Sequence, residues 1–132
     1  MPLSWKIAPL EQMVVCTSAG VVTLSDMRGY FKALDAARAF PYQKIFIATA
    51  GASGLSPDDV RIVARELHSR RETGHFGEVA VVTGAVRNNA PADIFRMLSH
   101  VERPLRLCAT IHEARQWLAN RRDSAIARRN RP

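Results

Sequence analysis

The sequence predicts an α/β fold. It reads as a single domain of order β-β-α-β-α-β-α-β-α, built on a mixed, mostly parallel sheet with an antiparallel first strand. Three observations carry that expectation. Short continuous apolar runs (QKIFIATA, EVAVVTG, PLRLCAT) alternate with longer segments whose apolar residues recur at helical spacing. The first two runs are too close together for a crossover, whereas each later pair leaves room for a helix. Finally, 132 residues at 47% hydrophobic content fit one domain with a single core.

The elements follow in order. Residues 4–8 (SWKIA) and 12–18 (QMVVCTS) are short and partly β-branched or aromatic, and the few residues between them suit a hairpin. Gly20 marks the exit. A helix is expected to start at Ser25 as N-cap, with Asp26 at its positive end and Met27, Tyr30, Phe31 and Leu34 facing inward. It should stop before Pro41, because the residue preceding a proline disfavours the helical region. Residues 43–50 form a strand buried on both faces. Ser56, Pro57 and Asp59 then open a second helix, with Val60, Val63, Ala64 and Leu67 inward and Gly74 at its end. Residues 78–84 form the fourth strand. Asn89 to Pro91 begin a helix with Ile94, Met97, Leu98 and Val101 inward, and residues 104–110 form the last strand. A final helix carries Ile111, Ala114, Trp117 and Leu118. The domain is expected over residues 1–120, and residues 121–132 form a basic C-terminal tail, either a continuation of the last helix or disordered.

Charge narrows the partners. The formal net charge is +7, but RRDSAIARRNRP at 121–132 holds five Arg and one Asp, so the body is nearly balanced. No aromatic residues are interleaved with the tail arginines, so base stacking is not indicated and nucleic acid is not the expected partner. No apolar run approaches the roughly 20 residues of a membrane span. The start, MPLSWKIAPLEQ, lacks the plan of a signal peptide, so a cytoplasmic location is expected. Cys16 and Cys108 sit in apolar segments without C-x-x-C spacing and read as buried reduced thiols. The four histidines show no metal-binding spacing and no Walker loop is present, so neither a metal nor a cofactor is expected.

The densest cluster of unusual residues is GASGLSPDD, residues 51–59. Helix capping accounts for Ser56 to Asp59. It leaves Gly51, Ala52, Ser53 and Gly54, small residues at the carboxyl end of a parallel strand, where open α/β sheets bind ligands. Gly51, Ser53, Gly54, Ser56 and Arg61 are therefore candidates for partner binding. Arg87, in TGAVRNNAP at the next strand exit, is a candidate anion contact. Ser53, Asp93 and His112 occur in the chain order of a hydrolase triad, but GASG is not the G-x-S-x-G elbow, and no catalytic residues are assigned.

The chain also resembles a known family. WKI in the first strand, PYQKIFIA before the third, LSPDDVR opening the second helix, GEVAVVTG as the fourth strand and RPLRLCATIHEARQWL at the end are similar to the SpoIIAA-like proteins. That group is a branch of the STAS superfamily and is related to CRAL-TRIO lipid-binding domains. The resemblance implies a non-enzymatic regulatory or binding domain that acts on a protein partner. By analogy with anti-sigma-factor antagonists, Ser53 in Ser53-Gly54-Leu55 is the phosphoacceptor candidate. Here the acidic residue usually found before it is replaced by Thr49-Ala50-Gly51-Ala52, and the helix starts at Pro57, three residues later than in that pattern. The CRAL-TRIO side implies an alternative, a carrier or sensor of an apolar small molecule lined by Met27, Tyr30, Phe31, Phe95 and Met97. The candidate partners are thus an unknown protein, a second copy of the chain included, or an apolar small molecule.

Overall fold

The computed structural model describes residues 3–48, 56–74, 76–82 and 105–129. Five strands, β1 (Leu3–Ala8), β2 (Met13–Ser18), β3 (Gln43–Ala48), β4 (Val79–Val82) and β5 (Leu105–Cys108), lie in one sheet in the order β1-β2-β3-β4-β5. The helices among the described residues are α1 (Leu24–Ala37), α2 (Pro57–Thr73) and α3 (Ile111–Arg129). β1 pairs antiparallel with β2, and every later pairing is parallel. The expected α/β class and the antiparallel first strand are both found. The helix expected from Asn89 to Val101 lies outside the described residues.

A tight turn makes the hairpin: Gln12, at φ 51°, donates its N–H to the Pro9 carbonyl at 3.2 Å. From there strand alternation sorts side chains to two faces. Val14, Cys16, Phe46, Val79 and Val81 face α1 and α2, whereas Ile45, Ala80, Val82 and Cys108 face α3. Sequentially adjacent parallel strands joined by crossovers of one hand place α1 and α2 on the same side. The helix that follows the last strand covers the other. Gln43 ties the second face together, its buried side-chain amide donating to the Leu118 carbonyl at 2.8 Å.

The start of α1 differs from expectation. Its N-cap is Thr23, not Ser25: Thr23 Oγ1 accepts from Asp26 N–H at 3.3 Å, and the Asp26 carboxylate accepts from Thr23 N–H at 2.9 Å. The reciprocal box needs an acceptor three residues after the cap. Thr23 has Asp26 there, whereas Ser25 has Arg28. The helix stops at Ala37, before Pro41 as expected. Arg38 turns left-handed at φ 52°, and Ala39 N–H reaches back to the Leu34 carbonyl at 2.9 Å, the six-to-one bond of a Schellman end. Thr23→Ala should therefore cost about 1 kcal/mol in urea denaturation, while Ser25→Ala changes stability by a few tenths at most.

The α1–α2 pair is clipped on its outside by Arg28 to Glu66 at 3.0 Å and by Arg70 to Asp35 at 3.0 Å. Exposed pairs of this kind orient more than they stabilise. α3 is continuous through Arg129, so the helical reading of the tail holds for 121–129. Among the described residues no helix is long and apolar enough to cross a membrane.

Candidate functional site

β3 is buried along most of its length and ends at Ala48, and α2 begins at Pro57. The start of α2 is the part of the candidate loop that is described. Ser56 N–H donates to Asp59 Oδ2 at 3.1 Å, and Asp59 N–H donates to Ser56 Oγ at 3.1 Å. Pro57 has no N–H, and Asp58 and Asp59 place two carboxylates on the first turn. Helix N-termini attract anions through free amides and the dipole. Here both are largely satisfied by the chain's own side chains, so this terminus is not an empty anion cradle. Ser56 serves as the cap the sequence predicts, and Ser56→Ala is expected to lower stability by about 1 kcal/mol, read as a shift in the thermal midpoint.

Arg61 reaches Asp58 at 2.8 Å, both side chains being largely exposed. Arg65, His68 and Ser69 continue an exposed polar face along α2, opposite buried Val60, Val63 and Leu67. Gly51, Ser53, Gly54 and Arg87 lie outside the described residues. So do Phe95 and Met97.

The other apolar-ligand candidates are packed in the core. Met27, Tyr30 and Phe31 are buried, and aromatic rings run in contact from Trp5 to Tyr30 (5.6 Å), Phe31 (6.0 Å), Phe40 (6.1 Å) and Phe76 (5.0 Å). At the end of that chain a cleft of about 310 Å³ is lined by Leu34, Asp35, Arg38, Phe40, Arg70 and Phe76, among others. It lies where α1 and α2 end and β3 begins, at the opposite end of the sheet from Ser56. The Arg70 guanidinium stands 5.6 Å from the Phe40 ring centre and is held by Asp35. Sequence reasoning missed this cluster, although an aromatic residue stands shortly before each of two parallel strands (Phe40 before β3, Phe76 before β4).

Behind the cleft wall, Lys44 is buried on the α1–α2 side of β3. Its Nζ donates to the carbonyls of Phe40 and Tyr42 and lies 5.8 Å from the centres of both the Phe40 and Phe76 rings. Gly77 N–H donates to the same Phe40 carbonyl at 2.9 Å. Lys44 and Gly77 together clasp the Phe40–Tyr42 turn against the start of β4.

His112 is exposed on the first turn of α3, while Ser53 and Asp93 lie outside the described residues. Cys16 and Cys108 are free and buried on opposite faces of the sheet. Burial pushes the Cys16 thiol up from 9.0 to about 12. The Cys108 thiol is also raised, by burial first and the Glu113 carboxylate second, against a smaller lowering by Arg106. A thiol kept protonated is a poor nucleophile. At about pH 8.5 the native protein should leave Cys16 unalkylated by iodoacetamide, whereas urea-unfolded chain reacts fully. Because the folded-state value is the higher, the thiol contributes stability below the unfolded value of 9.0, and that contribution is lost as pH climbs through about 12. Among the described residues no three His, Cys, Asp or Glu side chains gather as a metal site.

Compared with known proteins, the chain matches no protein-family model and no curated sequence. What the fold and these surfaces define is a class: a small α/β domain with a five-stranded mixed sheet and, among the described residues, two helices on one face and one on the other.

Proposed function

We propose that the chain is a STAS-type binding domain of the cytoplasm. It acts non-enzymatically through protein–protein contact at α2 and the segment before it, with phosphorylation of Ser53 as the switch. The observation that supports this most is the placement of α2. It follows the carboxyl end of a central buried strand, starts on a rigid capping box, and turns Arg61, Arg65 and His68 to solvent. A face of that composition suits an acidic partner surface. A phosphate on Ser53 brings nearly two negative charges into the chain just ahead of Asp58 and Asp59. It would repel an acidic partner and compete for Arg61. The apolar-ligand reading has less support, because Met27, Tyr30 and Phe31 are packed in the core.

The test is cross-linking and affinity capture with the full chain as wild type, Ser53→Ala, Ser53→Asp and Arg61→Glu, alongside intact mass measurement. Ser53→Ala should retain the partner, while Ser53→Asp and Arg61→Glu each release most of it. Equal recovery with all four chains, and no phosphate on Ser53, would sink the proposal.

A further inference from the structure

Beyond that reading, a second surface lies on the other side of the sheet. α3 buries Ala114 and Leu118 against β3, β4 and β5, and beyond Leu118 every residue whose burial is described is exposed. The helix nevertheless continues from Leu118 to Arg129, roughly 16 Å at about 1.5 Å per residue. At about 3.6 residues per turn, positions 121, 122, 128 and 129 fall on the same side of α3 as Ala114 and Leu118. All four are arginine, and Asp123, the sole acidic residue of 119–129, falls on the opposite side. The positions on one side of α3 are thus apolar where the helix lies on the sheet, and beyond it they are four arginines with Ala125 between the two pairs.

The first arginine pair marks the exit. Arg121 approaches Glu78 at 4.0 Å and stands 6.0 Å from the Trp117 ring centre, and Arg122 donates to the Glu11 carbonyl at 2.9 Å. Each guanidinium has five N–H donors, so these contacts leave others for a ligand. The second pair follows seven residues on, about 10.5 Å along the axis. A duplex presents one phosphate charge per roughly 1.7 Å of its length, so arginines at that spacing meet phosphates in any register. A bilayer would need an apolar face to bury, and Ile126 is the sole large apolar residue past Leu118.

We infer that the arginine face at the projecting end of α3 binds the phosphate backbone of a nucleic-acid duplex without reading its sequence. The expectation against nucleic acid rested on a tail without aromatic residues, but stacking is a requirement of single strands. Backbone contacts need only ordered positive charge.

The experiment measures binding of the full chain to a short DNA duplex, to an RNA duplex of the same sequence, and to phosphatidylserine vesicles, each across a salt series. Four phosphate contacts give a slope of log affinity on log salt of about −3.6, about a hundredfold weakening between roughly 50 mM and 200 mM. Arg128→Glu with Arg129→Glu should at least halve that slope. Ser124→Pro keeps every arginine but breaks the helix between the two pairs, and should weaken binding about tenfold. Circular dichroism and urea unfolding confirm that each variant keeps its fold. A DNA or RNA preference identifies the source of the phosphates. Binding to vesicles and not to either duplex overturns the inference. So does duplex binding that Ser124→Pro leaves unchanged, since charge alone then suffices, or no binding to any probe at low salt.

Discussion

Gly77→Ala is expected to destabilise the domain by about 3 kcal/mol or more, the largest effect of a methyl group added at any of the described glycines. A Cβ at position 77 would stand 2.5 Å from the Pro41 carbonyl oxygen and closer still to that of Tyr42. Both obstacles are backbone, so no rotamer change relieves them. The Phe40–Tyr42 turn must move away from the start of β4, and Gly77 N–H to Phe40 carbonyl at 2.9 Å is lost with it. The next contact, Lys44 N–H to the Glu78 carbonyl at 2.8 Å, begins the β3–β4 ladder, so damage spreads into the sheet. Gly74→Ala is the control, because a Cβ there meets open space. It should fall within about 0.5 kcal/mol of wild type in urea unfolding. Equal midpoints for the two variants would show that the close approach at Gly77 is not required.

The second large effect is at Lys44. Lys44→Ala removes the ammonium from the Phe40 and Tyr42 carbonyls and from two aromatic rings, and it leaves a void under the cleft. The expected loss is about 3 kcal/mol, part cavity and part unmet carbonyl. Lys44→Met separates the two causes. It refills the stem but offers no donor, so it should recover roughly half of the loss. Full recovery would mean that the hydrogen bonds contribute nothing beyond packing. Lys44 and Gly77 share the Phe40 carbonyl, so the Lys44→Ala/Gly77→Ala double variant should lose less than the two single losses combined.

This clasp was not legible in the sequence, for a physical reason. Lys44 and Gly77 are far apart in the chain, and they meet because β3 and β4 pair in the register Lys44 to Val79. Periodicity reads faces, and it contains no register between strands. The faces themselves were readable. Ile45, Phe46 and Ile47 marked a central strand, and Val60, Val63 and Leu67 marked the inner side of α2. The start of α1 was legible in principle, since the rule that identifies Ser56 with Asp59 also identifies Thr23 with Asp26. The residue at which it stops was not. A left-handed Arg38 carries no glycine signal, and the stop depends on burying Ala39. Of the candidate site, Ser56 and Arg61 are placed as the capping residue and the exposed cation that the sequence suggested. The small-residue stretch Gly51 to Gly54 keeps its interest because capping begins only at Ser56.

The strand order has a consequence for how the protein is made. Because β1 to β5 are neighbours in the sequence in which they are neighbours in space, each strand joins an edge left open by the one before. None has to be threaded between two strands already paired. A chain leaving the ribosome from its amino end could therefore enlarge its sheet one strand at a time. Its first face would be sheltered as α1 and α2 emerge, and Ile45, Ala80, Val82 and Cys108 would wait for α3. Among the described residues only α3 covers that second face, so the interval before α3 emerges is the stage of synthesis at which a chaperone has most to protect.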